Sequence, residues 1–585
     1  MKINKIIIGK ARGPRVLVAS SDQLNYHEYD NVNKDYISRI YDRVDGLVSN
    51  IYCQLDYDYG DNYGGGMLAS ASDEAVYCNT SASVNDFFNG SWSPSDPLSA
   101  QWGASYYAIA DCNDFLYNFK DLDFKDQLNT DNYYRNLAQY KRFPYEVKLL
   151  RAYFYFLLVR QYGAIPYYTA NLTAEQRNVL KQMPAEDVLD SIIATCDSVQ
   201  DHLPMDYTNL GSNTMSPAET GRFNKLVAMS LKARAALYAA SPLFNTDGSH
   251  NDKYLLAAQT CQAVLDSAAI QGIHLGAYDS NWGPNNFMPG NSNNPELIYA
   301  RRVDDYGKPE SRNFPVGIAS AGGGGNCPSE TLAEAFQTRN GYDVVLTDTG
   351  FESKDPTFDP KNPFADRDPR FAMVFAVNGE KGWPIANSDG LETFYGGISG
   401  EPKVGGTPTG YYLKKLLDGS LDLSATGRKK TSRHSWMTFR LGEIYLDYAE
   451  AAFRATGSYT AVPKGCLLSA LQAVNIIRQR PGVNMPALPS TMTNEEFWEK
   501  YKNERFVEMC FEDQRFFDVR RWKEADEYFK KVKELKITKN SDGSLVYRPD
   551  YQTREWDDKM YFFPIPQIDI LKAKGNLTQN PGWGK

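Results

Sequence analysis

Two neighbourhoods of this 585-residue chain mix aromatic rings with amides, carboxylates and guanidinium groups outside any helical pattern. The first holds Asp61, Asn62, Tyr63, Asp73, Tyr77, Asn79, Asn85, Asp86 and Trp92. The second is spread more widely and holds Tyr278, Trp282, Arg301, Phe314, Asn326, Cys327, Trp383 and Tyr395. A sugar ring presents C–H patches on its face and hydroxyls around its rim. Recognising one takes an aromatic plane flanked by polar side chains or backbone groups, and both neighbourhoods supply that mixture. The bland reading stands beside it: any one aromatic is packed core more often than platform, because apolar side chains fill interiors.

Residue patterns that would do covalent chemistry are missing. The five histidines, at 27, 202, 250, 274 and 434, form no H-E-x-x-H pair and read as surface or satisfied structural groups. Gly317–Gly322 (GIASAG) is one residue too long for a nucleophile elbow. Gly322–Gly325 has neither a P-loop lysine nor dinucleotide spacing. Asp56–Asp61 (DYDYGD) superficially resembles a calcium loop, but the glycine and the following acid are reversed and the closing Glu is absent. It reads as a solvated acidic turn. Carboxylate pairs of the glycosidase kind are set by spatial rather than sequential spacing, so 72 acidic residues identify none. Neither a metal nor a cofactor is expected.

Eight cysteines show no C-x-x-C pair and no zinc-type spacing. Cys196, Cys261, Cys466 and Cys510 fall inside helical patterns and read as small buried hydrophobes. A disulfide framework does not suit a chain with this much core, and isolated bridges are left open. The net charge of −9 disfavours nucleic acid and anionic lipid as partners, since phosphate binding wants a basic face. There is no run of 18 apolar residues. The unusual feature is the aromatic content, 39 Tyr and 9 Trp, which is ample material for stacking platforms as well as for a core.

The elements that must position these residues are mostly helical. Asp35–Asn50 reads as a first helix, with Ile37, Ile40, Tyr41, Val44, Leu47 and Val48 on its apolar side, and Pro94–Phe119 carries a second. Arg151–Tyr162 is apolar almost all round, which marks a helix buried between others. Arg222–Ala240 and Tyr254–Ala269 form a helix–turn–helix broken by Pro242, Asn245 and Gly248. Thr438–Arg454 and Lys464–Gln479 form another, and the Ala-rich faces permit close antiparallel packing of the tetratricopeptide kind. Between the pairs, Gly272–Ser435 is dense in Gly, Pro and Asn, with short β-like runs at Leu297–Ala300 and Met373–Val377. A stretch so long without convincing helices reads as a functional insert.

The most informative segment is Asn503–Trp522, NERFVEMCFEDQRFFDVRRW, with neither Gly nor Pro. As one helix it aligns Glu504, Glu508 and Glu512 in a stripe, offset by Arg505, Arg515, Arg520 and Arg521, with Glu512 and Arg515 paired at three residues. Phe506, Cys510 and Phe517 fall on a core-directed face. The segment closely resembles the C-terminal signature of the SusD/RagB family of outer-membrane nutrient-binding lipoproteins. Phe439–Ala451 (FRLGEIYLDYAEA) is similar to that family's Arg-Leu-x-Glu-x-Tyr-Leu helix. Phe562–Pro566 (FFPIP) and Asn576–Trp583 (NLTQNPGW) resemble its closing elements. Upstream, Glu146–Tyr168, Lys225–Pro242, Asp368–Phe371 (DPRF) and Ser72–Glu74 (SDE) match in the family's order, so the resemblance runs from about residue 70 to the C-terminus.

The resemblance implies a mainly α, SusD-like fold with tetratricopeptide-type hairpins and a loop-rich insert with short β elements. As one domain it would span 22–585, with scaffold at 35–270 and 436–585 and insert at 271–435. It further implies non-catalytic capture of an oligosaccharide at the outer-membrane surface and delivery to a SusC-like TonB-dependent barrel. Peptide capture is the alternative within the family; a glycan-active hydrolase and a helical-repeat scaffold are the alternatives outside it. By family order Tyr77 and Asn79, just after the acidic pair, and Phe314 through Cys327 lie where ligand contacts are supplied. The N-terminus departs from the pattern. Met1–Gly9 begins like a secretory leader, but Lys10, Arg12, Pro14 and Arg15 interrupt the apolar stretch. Val16–Ser21 resembles the end of a lipoprotein leader, yet Asp22 stands where the lipidated Cys is expected, so residues 1–21 are placed outside the fold.

Overall fold

The computed structural model describes residues 33–60, 63–277, 294–318 and 322–584, and is mainly helical. The long helices pack as a chain of neighbours. Gln101–Asn118 lies on Phe143–Tyr162, which lies on Ala185–Val199, then Lys225–Ala240, Asp252–Ile270, Leu441–Thr456 and Ala470–Arg478. Phe143–Tyr162 is buried on nearly every side, as its all-round apolar sequence predicts. Lys225–Ala240 places six alanines in the core, which lets its neighbours approach closely. The helix pairs are hairpins of the tetratricopeptide kind.

Asp252–Ile270 packs directly on Leu441–Thr456, although about 170 residues separate them. The chain between leaves the helical layers and returns through a neck. Leu297–Tyr306 runs out and Ser432–Arg440 runs back, paired antiparallel from Leu297↔Arg440 to Tyr306↔Ser432. Beyond the neck a second hydrophobic core forms around Phe314, Phe336, Phe371, Phe375 and Tyr411, with Val507, Phe511 and Leu535 contributed by the C-terminal part.

Several elements differ from their sequence reading; the helix read at Lys464–Gln479 begins only at Ala470, and the one read at Arg151–Tyr162 begins at Phe143. The first helix is two, Lys34–Ser38 and Tyr41–Tyr52, because Ile40 takes an extended backbone. The stretch Met373–Val377 is a helical turn, Phe371–Val374, running into the strand Phe375–Ala376. The helix expected across Asn503–Trp522 breaks: Asn494–Met509 ends at Cys510, and Arg515–Arg521 follows. Phe511 and Asp513 hold positive φ of 61° and 56° at the break. Such backbone is unfavourable for these residue types and persists where surroundings over-determine it. Here the Phe511 N–H donates to Glu74 Oε1 at 2.8 Å and the Phe511 ring is buried in the second core. Phe506, Cys510 and Phe517 are buried as expected, whereas Cys466 lies outside any helix and is half-buried. All eight cysteines are free.

The acidic stripe is not offset by the arginines of its own segment, Arg515 pairing with Asp73 rather than Glu512, but forms a buried seam between the scaffold and the insert. Arg370 of the insert meets Glu504 at 2.6 Å, Glu508 at 3.0 Å and Asp368 at 2.7 Å. Arg440, at the end of the neck, meets Glu508 and Glu512 at 2.8 Å each and Glu296 at 3.3 Å. Arg480 joins Glu296 to Glu508, Arg478 holds the far oxygen of Glu504 at 2.8 Å, and Lys415 holds Glu512 at 2.7 Å. Five cations thus face five anions, all buried. Burial alone would push the Glu508 carboxyl up, but Arg480, Arg440 and Arg370 together hold it well below the usual range. A second network lies inside the scaffold, where Arg505 bridges Asp447 and Asp518 and Arg521 bridges Glu450 and Asp518.

Removing one member of such a network leaves its partner charged and buried, at a cost of about 3–5 kcal/mol. Arg370→Met is therefore expected to lower unfolding stability by about that amount in denaturant titration. Lys125→Ala, which removes an exposed pair with Asp123, should leave the midpoint unchanged. Equal midpoints for the two variants would refute the seam's structural role.

Candidate functional site

The acidic pair is the anchor of the site. The Asp73 carboxylate takes both prongs of Arg515, at 2.9 and 2.7 Å, and Glu74 accepts from the Phe511 backbone. Ser72 Oγ lies 3.2 Å from Glu74 Oε2. This pins the chain to the break between the two C-terminal helices, and the next residues leave as the strand Ala75–Tyr77. That strand pairs antiparallel with Asn326–Pro328, in register Ala75↔Pro328, Val76↔Cys327 and Tyr77↔Asn326. The N-terminal segment and the insert are thereby locked together, and where the pair opens, Tyr77, Cys78 and Asn79 come toward the surface.

A face forms around that opening. The Tyr77 ring is half-buried and its hydroxyl lies over Gly65, where a Cβ would come within 2.6 Å of it. Arg312, from the end of the short helix Lys308–Asn313, runs along Gly65 and binds Asp58 at 2.8 Å. The glycine run closes the face from the other side. The Cys78 N–H donates to the Gly325 carbonyl at 2.9 Å, and the Cys78 thiol lies 3.2 Å from the Gly323 carbonyl. Gly324 has φ +82°, and a Cβ there would stand 2.0 Å from the Gly405 carbonyl, so only glycine fits. Ile398 and Lys403 border Gly317 at the outer edge. Asn79 is exposed, with its carbonyl accepting from Asn85 Nδ2 at 2.9 Å.

These groups are suited to holding a polyol: one ring edge and face, a guanidinium neutralised by Asp58, an amide and backbone carbonyls. Burial pushes the Cys78 thiol up to about 11, so at neutral pH it is protonated and a poor nucleophile. Among the described residues no group of three or more His, Cys, Asp or Glu could hold a metal ion. Nor is any helix among them long and apolar enough to cross a membrane. In the described part of the acidic turn, Asp56–Gly60, Asp58 is not solvated as expected: it is 1% exposed and paired with Arg312.

The sequence-predicted residues divide sharply. Tyr77 and Asn79 lie on the face. Asn326 and Cys327 reach the same strand pair but are wholly buried beneath it. Asn326 Oδ1 accepts from the Met67 N–H and Ser70 Oγ, and its Nδ2 donates to Gly65 and Asn313. They fix the face rather than touch a ligand. Asn85 is buried and serves as a tie to Asn79. Phe314 is fully buried in the second core, edge-on to Trp383 at 5.6 Å, and Trp383 is itself half-buried. Trp92 is not a platform. It is 4% exposed among Phe87, Phe563 and Trp583, and its indole N–H donates to the Pro97 carbonyl. Arg301 is a structural tie, donating to the Cys53 and Leu55 carbonyls across the neck and lying over the Tyr57 ring. Tyr395 is 67% exposed on the loop that leads to Ile398. Asp61, Asn62 and Trp282, like Tyr278 and residues 1–32, lie outside the described residues. Sequence reasoning missed Arg312, Cys78 and Lys403. No local signal marks Arg312, because its partner Asp58 is 254 residues away.

The two segments that build this face each match a family model. Residues 276–583 match the model described as SusD family, and residues 29–237 match one described as starch-binding associating with outer membrane. The chain belongs to the SusD family. No curated sequence matches significantly. Among solved structures, a SusD-like protein from Bacteroides fragilis superposes with TM-score 0.74 at 23% identity, covering 94% of this chain and 98% of that one. A SusD-like carbohydrate-binding protein of the same species gives TM-score 0.68 at 18% identity, with 92% and 99% covered. Surface glycan-binding protein A of Bacteroides thetaiotaomicron, solved with laminarihexaose, gives 0.60 at 17%, with 92% and 99% covered. These likenesses establish the SusD-like fold.

Glu74 offers a direct test of the anchor. Burial, more than its neighbour Asp73, pushes its carboxyl from 4.5 to about 8, so in the folded protein it is protonated at neutral pH. A carboxyl raised on folding destabilises increasingly from its unfolded value of 4.5 up to the folded value of about 8, because only the unfolded chain ionises over that range. Glu74→Gln keeps the acceptor for Phe511 without that cost. It should melt progressively higher than the parent between pH 5 and 8, the two converging toward pH 4.5. A constant difference across that range would refute the buried, protonated anchor.

Proposed function

We propose that this SusD-family protein captures a neutral oligosaccharide at the outer-membrane surface, without turning it over, and passes it to a SusC-like TonB-dependent barrel. One observation carries the reading. Tyr77 and Asn79 from one matched family segment converge with Arg312 and the glycine run from the other on a single face. The Tyr77 ring offers a stacking surface, Arg312 and Asn79 offer directed donors, and the glycine run, packed against Gly405 and Asn313, holds these groups in place. The paired charges of Arg312 and Asp58 suit an uncharged ligand. The protonated Cys78 thiol supports binding rather than covalent chemistry. Family membership supports the surface location and the barrel partner.

The test is calorimetric titration with hexasaccharides of several linkages. Tyr77→Ala should weaken the accepted ligand about tenfold or more, equivalent to about 1.4 kcal/mol. Tyr77→Phe should retain most of the affinity, because the ring is kept. Full affinity in a folded Tyr77→Ala variant would remove this face from consideration. Prolonged incubation of the native protein with its best ligand should release no reducing ends; release in proportion to protein concentration would establish a hydrolase instead.

A further inference from the structure

A different set of elements, sharing no residue with the face around Tyr77, builds a second aromatic recess. It is an open groove of about 340 Å³ between the helix Gln101–Asn118, the chain after the strand Ile165–Pro166, the helix Ala174–Asn178 and the C-terminal helix Gln567–Lys572. Trp102, Tyr106, Tyr107 and Tyr168 line it, with Arg177 and Asp569 as its charged members. The Tyr106 and Tyr168 rings are parallel to within 7° with centroids 6.3 Å apart, and Trp102 meets Tyr106 edge-on at 5.0 Å. Tyr107 is 64% exposed.

The arrangement is held in place from behind. The Tyr106 hydroxyl donates to the Pro166 carbonyl at 2.8 Å. The Tyr155 hydroxyl donates to the Tyr168 carbonyl and accepts from the Tyr168 N–H, at 2.6 and 2.9 Å. Arg177 lies beside the Tyr168 hydroxyl. Gly103 also lines the groove, within a regular helix, with nothing within 4 Å of where a Cβ would sit. Neither backbone conformation nor packing calls for glycine there, and a larger side chain would occupy the groove.

We infer that this groove is a second carbohydrate site, taking one or two rings of a neutral glycan. Tyr107 presents an exposed ring and Tyr106 a half-buried one, fixed through its hydroxyl and packed on the buried Trp102 and Tyr168, and such rings match the C–H face of a pyranose. One cation and one anion give the lining no net charge, which disfavours a phosphate or carboxylate ligand and suits a rim of hydroxyls. The volume lies at the small end of ligand pockets, about 300–1,000 Å³, and so fits a short segment rather than a whole chain. The choice of ligand class rests on the glycan-capture reading above. Two sites on one body would let a polymer bind with an avidity that neither site gives alone.

Calorimetric titration with laminarihexaose, maltohexaose and xylohexaose separates the outcomes. The native protein should bind two equivalents of the hexasaccharide it accepts. Gly103→Leu fills the groove, has room for its Cβ and improves helix propensity, so it should fold and lose one equivalent. Tyr107→Ala should weaken that same equivalent at least tenfold. Tyr77→Ala should lose the other. Gly103→Leu should also lower affinity for the parent polysaccharide tenfold or more. One equivalent in the native protein, unchanged in Gly103→Leu and Tyr107→Ala, overturns the groove and leaves the glycan-capture reading standing. Binding of none of the three probes overturns both.

Discussion

The molecule depends on a neutral set of charges taken out of water. Arg370, Arg440, Arg478, Arg480 and Lys415 face Asp368, Glu296, Glu504, Glu508 and Glu512 where the insert meets the helical scaffold. Desolvating ten charges is costly, and the Coulomb gain offsets it only if every partner arrives in place. The seam is therefore all-or-none: a partly docked insert would leave buried charges unpaired. Hydrophobic contact alone would tolerate sliding, whereas forked guanidinium pairs set one geometry. That requirement fits a protein whose candidate face is assembled from segments hundreds of residues apart.

From the seam the constraint passes to the face. Glu512 ends the stripe, and the chain turns around it, with left-handed backbone at Phe511 before it and Asp513 after it. The turn presents the Phe511 N–H to Glu74 and Arg515 to Asp73, which fixes the segment entering Ala75–Tyr77. The strand pairing with Asn326–Pro328 then sets where Tyr77 and the glycine run stand relative to each other. Arg520 shows the same economy differently. Among the described residues no acid pairs with it; instead it donates to the Met560 and Phe516 carbonyls and lies 3.4 Å over the Phe516 ring. Burial holds its pKa well below the usual arginine value, and carbonyls and rings replace water as its partners.

The aromatic wealth of the chain is divided between two uses. Trp92, Phe87, Phe563 and Trp583 meet edge to face and close the core where the C-terminus returns to the N-terminal half. Tyr77, Tyr395, Tyr106 and Tyr107 keep part of their rings in contact with solvent. Those partly open rings are anchored by backbone hydrogen bonds or lie against glycine, so they present fixed surfaces. Preorganised rings lose little freedom on binding, which is what a neutral ligand with few strong contacts requires.

Helical periodicity in the sequence marks Lys225–Ala240, Asp252–Ile270 and Leu441–Thr456 within a few residues, and the second half of Phe143–Tyr162 from Arg151 on, because a buried helix must repeat its apolar positions. The ordered set of short segments likewise carries the family assignment. Composition and local spacing say which residue types could stack on a sugar. They do not say which rings stay exposed. Trp92 and Tyr77 are fifteen residues apart in similar polar surroundings, yet one fills the core and the other borders a face. The difference comes from Phe563 and Trp583 packing on Trp92. The acidic stripe reads locally as offset by the arginines of its own segment, since its true counter-charges Arg370, Arg440 and Arg480 lie elsewhere in the chain. Sequence by itself determined the helices and the kinds of chemistry on offer, both of which follow from near-neighbour spacing. Burial, the charge partners and the membership of the face were decided by tertiary structure, because each is a contact between residues that only the fold brings together.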